Sequence, residues 1–286
     1  MRLFQIAEPE EKLQNQGRED ELIVGIDLGT TNSLLSYFDG SAFHFVQEYE
    51  SSLLPSVVAI DELGSMKAGG GAQEKEGCHI IRSIKRYMGK RAGEISGDYE
   101  VVQAGDDVLR LQFANQLFTP QEISASILRH LKQLAEKQFG KIIKKAIITV
   151  PAYFDENSRQ ATKDAAIIAG LEVLRLISEP TAAAICYGLD LKDEGLYMVY
   201  DLGGGTFDVT LLRMQMGVFQ VIATGGNNSL GGDDVDALLL RYLKDKHDLK
   251  PVDSSTGLLE AKRLKELLSQ QEEFEGEVLG ARLKLS

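Results

Sequence analysis

The stretch I-V-G-I-D-L-G-T-T-N-S, residues 23–33, decides how the rest of the chain is read. An apolar run enters it, and one carboxylate, Asp27, stands at its crest. Gly29, Thr30, Thr31 and Asn32 then turn the chain. Buried strands enter tight turns in this way. Glycine allows positive φ and close backbone approach. The N–H groups and hydroxyls of such a turn can cradle an anion. Taken alone, the stretch is a strand followed by an Asp-Leu-Gly turn.

Its echo changes the reading. Residues 196–210, L-Y-M-V-Y-D-L-G-G-G-T-F-D-V-T, repeat the order of apolar run, Asp-Leu-Gly, small residues and strand. Two such turns facing each other across a cleft could wrap a polyphosphate. Asp27 and Asp201 could not sit beside phosphate without a cation, and Mg²⁺ held largely through water answers that need. Gly203, Gly204 and Gly205 let backbone approach phosphate where a Cβ would clash. Neither G-x-x-x-x-G-K-[ST] nor G-x-G-x-x-G occurs, so the chain is neither a P-loop protein nor a carrier of the usual dinucleotide fingerprint.

Working outward, residues 1–20 read as a short polar extension, and 33–38 with 43–47 as a hairpin around Asp39-Gly40. The triplet Gly69–Gly71 reads as a flexible connector, residues 80–90 as a helix carrying Lys85 and Arg86, and 101–113 as a second hairpin. Thr119-Pro120-Gln121-Glu122 is a helix start with Thr as N-cap, Pro at N1 and Glu at N3. Ile123, Ile127, Leu131 and Leu134 should face the core of a helix that ends at Gly140. A strand at 146–150, a helix capped by Asp155 and closed by Gly170, a strand at 171–177 and a short helix opened by Glu179-Pro180 follow. In the last third, strands at 196–212 and 218–224 precede a helix with Val235, Leu238, Leu239 and Tyr242 on its inner side. A helix at 258–269 comes next, and residues 271–286 show no clear element. Strands alternating with helices, hairpins and an internal echo predict two related lobes of α/β structure.

Composition narrows the class. The 286 residues are 43% apolar and 26% charged, as in a soluble globular protein able to bury a large core. A net charge of −12 argues against nucleic-acid and anionic membrane surfaces. No run of about twenty apolar residues occurs, and residues 1–20, which lack a basic segment followed by an apolar run, are not expected to act as a secretory leader. Cys78 and Cys186 lack metal-ligand spacing and read as reduced thiols of a cytoplasmic protein. The four histidines have no motif context.

Five motifs in order, G-I-D-L-G-T-T-N-S (25–33), V-P-A-Y-F (150–154), R-Q-A-T-K-D (159–164), E-P-T-A-A-A (179–184) and D-L-G-G-G-T-F-D (201–208), resemble the 70-kilodalton heat-shock chaperones over about residues 22–270. L-F-Q-I-A-E-P (3–9) and G-G-D-D-V-D (231–236) resemble the branch of that family dedicated to iron–sulfur cluster assembly. The resemblance implies an actin-like ATPase (ribonuclease H-like) fold whose two lobes close on ATP or ADP with Mg²⁺, and K⁺ as a further cation. It implies a first lobe over 21–195 with a subdomain inserted at about 57–117, and an incomplete second lobe over 196–286. Thr30, Thr31 and Asn32, beside Gly29, match the first phosphate loop, and Gly203, Gly204, Gly205 and Thr206 match the second. Asp27 and Asp201 match the residues that hold Mg²⁺ through water, with Asp208 a further carboxylate there.

The same resemblance makes Lys85 the lysine at the γ-phosphate and Glu179 the carboxylate that orients attacking water. The plainer readings are a surface lysine and a helix N-terminal carboxylate favoured by the dipole. Pro151 and Arg159 match a switch reporting nucleotide state. Tyr153 and Arg175 match a surface for J-domain co-chaperones, and the full-length protein would take an iron–sulfur scaffold protein as client. Lys265 and Ser269 match the helix that contacts adenosine. Ser178 and Lys262 depart from the family, which usually has Asn and often Glu there. A further glycine motif and the peptide-binding domain are missing after Ser286, so a truncated or frameshifted product or a fragment is expected, with open apolar faces, poor solubility or a partly disordered C-terminal third. Two other readings are a non-hydrolysing fragment that keeps the co-chaperone surface, and a kinase on the same actin-like scaffold.

Overall fold

The computed structural model describes residues 22–285 except 73–74, 76, 95–98, 103–107, 114, 188–193, 228–229, 248, 250 and 252–253. The expected extension at 1–20 therefore lies outside the described residues. The opening stretch forms strand β1 (Leu22–Asp27), whose Leu22, Val24 and Ile26 point into the core. It turns into β2 (Asn32–Phe38), followed by β3 (Phe43–Phe45) and β4 (Leu54–Pro55). Two small antiparallel sheets come next. One joins β5 (Val58–Ile60), β6 (Met66–Ala68) and β7 (His79–Ile81). The other joins β8 (Val101–Val102), β9 (Arg110–Phe113) and β10 (Gln116–Phe118).

Helix α1 (Pro120–Phe139) starts as its sequence requires. The Thr119 hydroxyl accepts the Glu122 N–H and the Glu122 carboxylate accepts the Thr119 N–H, a complete capping box. Gly140, at φ 65°, closes it in the left-handed conformation that glycine tolerates. Then β11 (Ile143–Val150), α2 (Glu156–Ile168), β12 (Glu172–Ser178) and α3 (Glu179–Cys186) complete the first half. Its main sheet has the order β12-β11-β1-β2-β3, with β4 also on β2. Strands β12, β11 and β1 are parallel, and β2 and β3 run against them. One large core gathers Ile26, Leu35, Ile60, Leu111, Ile123, Leu128, Leu131 and Ile148 from the sheet, both small sheets and α1.

The second half opens with the echo. β13 (Gly195–Leu202), β14 (Phe207–Gln215) and β15 (Val218–Asn227) form an antiparallel meander in the same order as β1-β2-β3. Helices α4 (Gly232–Lys246) and α5 (Ser254–Leu268) and a hairpin of β16 (Phe274–Val278) and β17 (Ala281–Leu285) follow. The architecture is the mixed α/β one expected for an actin-like ATPase fold.

Four expectations are corrected. Residues 80–90 are not one helix, because Ile80 and Ile81 belong to β7 and Ser83 sits at φ 54°, so only a single 3-10 turn over Ile84–Tyr87 forms. The Gly69–Gly71 triplet is no loose connector. Gly70 N–H donates to Glu48 Oε2, and a Cβ on Gly69 would strike the His130 ring and that carboxylate. Residues 271–286 carry the hairpin β16–β17, whose Val278, Leu283 and Leu285 pack on Leu243 and Leu264. The buried side of α4 is Asp236, Leu240 and Leu243, with Leu239 packed against the core as expected, while Val235, Leu238 and Tyr242 face solvent. Leu196, Met198, Tyr200 and Leu202 of β13 are exposed as well, which matches the open apolar face expected there.

The contrast sets a stability prediction. Leu128→Ala, on the buried face of α1, should lower unfolding free energy by about 2–5 kcal/mol. Leu238→Ala should change it by less than about 0.5 kcal/mol, because its side chain lies mostly in water. Urea unfolding of the two variants checks both.

Candidate phosphate cleft

The first turn is built from within. A Cβ on Gly29 would lie 2.0 Å from the Asn32 carbonyl oxygen, so only glycine fits. Ser56 holds the turn by two bonds, N–H to Thr31 O at 2.8 Å and Oγ to Gly29 O at 2.8 Å. The hydroxyls of Ser33 and Ser56 pair at 2.8 Å. Asp27 ends β1, and its Oδ1 accepts the Thr149 hydroxyl at 2.8 Å.

The second turn is held by the start of α4. Gly203 N–H donates to Thr206 O at 2.9 Å. The N–H groups of Gly232 and Asp233 donate to Gly203 O and Gly204 O at 3.0 and 2.7 Å. Gly231 lies so close that a Cβ there would sit 2.4 Å from Gly204 O. Lys265 of α5 donates to Gly232 O at 2.9 Å and pairs with buried Asp236 at 2.7 Å, while the Ser269 hydroxyl donates to Lys265 O. Of the two expected adenosine-side residues, Lys265 thus braces the helix that supports the glycine turn, while Ser269 bonds within the end of its own helix.

The two turns meet. A Cβ on Gly204 would fall 1.7 Å from Thr31 Oγ1, and one on Gly205 would fall 2.2 Å from Thr30 Cγ2. Around this junction four carboxylates act on one another. Asp201 and Asp208 are directly opposite on paired strands β13 and β14, an arrangement that like charges oppose. Burial, with the Asp201 charge adding to it, raises the Asp208 carboxyl above its ordinary pKa. Glu179 is raised too, first by burial and then by Asp27 and Asp201, against the pull of Lys85. Lys85 is buried and bonds Glu179 Oε1 at 2.6 Å.

The structure therefore brings Asp27, Thr30, Thr31, Lys85, Glu179, Asp201, Gly203, Gly204, Gly205, Thr206 and Asp208 to one junction, and Asn32 opens β2 beside it. Tyr153 is a correction. It does not join Arg175 on one surface but enters the cleft, where its hydroxyl meets that of Thr206 and faces Asp208 and Glu179. Burial pushes that hydroxyl pKa up. It lines a cavity of about 200 Å³ with Lys85 and Arg86, whereas Arg175 lines a separate depression with Arg159 and Lys163. Arg159 Nε donates to Phe154 O, tying α2 to the turn after Pro151.

Sequence reasoning passed over Ser56 and Gly231 as supports and Asp233 and Asp234 as partners across the cleft. Ser83 Oγ donates to Asp233 Oδ2 at 2.6 Å, and Arg86 to Asp234 Oδ2 at 2.7 Å. The G-G-D-D signature was visible, but nothing in its spacing revealed a partner about 150 residues earlier.

Whether these residues suit a nucleotide and Mg²⁺ can be tested on the geometry. Thr31 Oγ1 is buried without a hydrogen-bond partner among the described residues, at the point where the glycines leave no Cβ. Such an orphan in a glycine cradle fits a phosphate oxygen. Among the described residues no cluster of three or more His, Cys, Asp or Glu converges as a metal cage. Two carboxylates beside phosphate fit Mg²⁺, which keeps much of its water.

Two glycine-threonine turns on repeated β-meanders, closing over paired carboxylates, define a protein of the actin-like ATPase class. The sequence profile of the Hsp70 protein family matches residues 23–275, and the chain belongs to that family. It is similar to the chaperone protein HscA homologs of Aromatoleum aromaticum, 45% identical over 96% of this chain and 45% of the relative. The HscA homolog of Shewanella baltica is 43% identical over 98% of this chain and 46% of the relative. That of Bordetella petrii is 46% identical over 96% and 45%. The chain spans less than half the length of these relatives. Among the described residues no helix is long and apolar enough to cross a membrane.

Support of one turn by the other helix is testable. Gly231→Ala should cost about 1–3 kcal/mol, because its Cβ meets backbone that cannot yield freely. Gly225→Ala, with open space around it, should stay within about 0.5 kcal/mol in the same thermal melts.

Proposed function

We propose that this chain binds ATP and hydrolyses it to ADP and phosphate, as the nucleotide-binding part of an Hsp70-type chaperone serving iron–sulfur cluster assembly. The observation that carries the ATPase reading is the junction itself. The two glycine turns interlock around the orphaned Thr31 hydroxyl, next to the Lys85–Glu179 pair. The iron–sulfur role rests on residues 3–9 and 231–236 and on similarity to the HscA homologs.

In this reading Thr30, Thr31, Asn32 and the turn from Gly203 to Thr206 hold the phosphates. Asp27, Asp201 and Asp208 would hold Mg²⁺ at this site. Mg²⁺ bound there would supply positive charge beside the phosphate oxygens. Lys85 offsets the charge that gathers as the terminal P–O bond breaks. Glu179 orients the water whose oxygen attacks that phosphorus, and accepts its proton. Lys265 and Ser269, on the bracing helix, face the adenosine side. The first lobe comprises residues 21–195 with its insert at about 57–117, and the second begins at 196. A J-domain partner docks at the basic depression of Arg159, Lys163 and Arg175, without Tyr153. The iron–sulfur scaffold is a client of the longer protein.

Titration with Mg-ATP and single-turnover hydrolysis test this. Binding in the micromolar range or tighter and phosphate release without an acceptor are expected. Lys85→Ala should retain binding and slow hydrolysis by about 100-fold. Binding without hydrolysis would leave a non-hydrolysing interaction fragment, and no binding would overturn the reading.

Glu179 sets the pH dependence. As the proton acceptor it must be ionised, and its pKa stands above the ordinary 4.5. The rate should therefore fall on acidification with a midpoint above 4.5, and Glu179→Gln should remove that limb. The effect on folding has the opposite sign. The site favours the protonated carboxyl, so its contribution is full below 4.5 and is lost as pH rises through the raised value.

A further inference from the structure

Arg86 follows Lys85 on the 3-10 turn Ile84–Tyr87, and the two cations leave that turn in different directions. Lys85 pairs with Glu179 of the first half. Arg86 crosses to the second half, where one terminal nitrogen bonds Asp234 Oδ2 at 2.7 Å in a partly buried ion pair. Its Nε is buried and has no hydrogen-bond partner among the described residues. That nitrogen faces the second glycine turn, 2.9 Å from the point where a Cβ on Gly205 would lie. A buried guanidinium donor without an acceptor costs free energy, and such an orphan in a native protein calls for a partner that completes it, whether water, ion or ligand. Thr31 Oγ1, the other orphan at this junction, lies against neighbouring Gly204. Two orphaned polar groups therefore lie against adjacent glycines of the same turn.

The ion pair explains why the guanidinium stays there. Asp234 is in the first turn of α4, whose N-terminal N–H groups hold the carbonyls of Gly203 and Gly204. Asp233 beside it accepts the Ser83 hydroxyl, so both ends of the Ser83–Arg86 segment are fixed to α4. Opening of the cleft would break both bonds and withdraw Nε from the glycine turn.

We propose that Arg86 is a second phosphate-binding cation of this site, presenting Nε to a phosphate oxygen of a bound nucleotide, and that Asp234 is the positioning residue that aims it. The proposal rests on the nucleotide reading and adds to it a ligand and a closing contact between the halves. It also separates the two cations by task. Lys85 acts on the reacting phosphate, and Arg86 on retention of the phosphate chain.

Equilibrium binding and release by the full chain test this, with Mg-ADP and adenosine as probes. Arg86→Ala should weaken Mg-ADP by about tenfold or more, the scale of one charge-assisted hydrogen bond, and leave adenosine within about twofold. Arg86→Lys should recover little, since an ammonium cannot bridge Asp234 and a phosphate as a planar guanidinium does. Asp234→Asn should speed release of a fluorescent ADP analogue several-fold, with a smaller loss of affinity. Adenosine and Mg-ADP weakened equally by Arg86→Ala would overturn the proposal, since a structural role predicts that result. Wild-type affinity for Mg-ADP in Arg86→Ala would overturn it too, while leaving the nucleotide reading intact. A wild-type chain that binds neither probe would overturn both.

Discussion

Asp201 and Asp208 face each other across paired strands, and that placement governs the rest of the cleft. Two carboxylates directly opposite repel, and burial raises the cost of keeping both ionised. Asp27 and Glu179 add their charges to the same space. A sheet serving only stability would not gather four acids where Lys85 pairs with one of them and Arg86 is engaged by Asp234. The arrangement makes sense as one half of a polar site whose other half is a cation and a ligand. Local strain of this kind belongs at functional sites and is borne by the surrounding fold.

The bearing parts are unequal. The first half wraps its glycine turn in one continuous core that includes α1, the main sheet and both small sheets. The second half has a small core under α4 and α5, and much of the β13–β15 meander faces water. Its glycine turn is therefore supported less by apolar packing than by hydrogen bonds from the start of α4. Those bonds reach onward through Lys265 to α5 and through Asp233 and Asp234 to the first half. The N-terminus of α4 is thus the point at which the glycine turn, the bracing helix and the opposite half are joined. Closure of the cleft and order of the second turn depend on the same few polar contacts.

Much of this was legible before any coordinates. The internal echo, the capping box at Thr119 and the Asp155 and Gly140 caps follow from local rules that act over a few residues. Residues 80–90 were misread because their composition suits a helix, while the positive φ of Ser83 is imposed by its position between β7 and the cleft. The side of α4 that is buried was misread for a similar reason. Hydrophobic spacing picks Val235, Leu238 and Tyr242, but Asp236 is drawn inward by Lys265 from another helix.

By itself the sequence determined the mixed α/β class, the two phosphate-type turns and the carboxylates beside them, because strand period, glycine placement and helix caps are properties of short segments. Only the tertiary structure decided which groups face one another. It turned Tyr153 into the cleft, set Thr31 against Gly204, paired Ser83 and Arg86 with Asp233 and Asp234, and left Arg86 Nε aimed at Gly205. The Ser83–Asp233 and Arg86–Asp234 bonds join residues about 150 positions apart, and no local pattern encodes a partner at that distance. The opening stretch therefore specified a turn able to hold an anion, while the folding of the two halves onto each other made it one wall of a site.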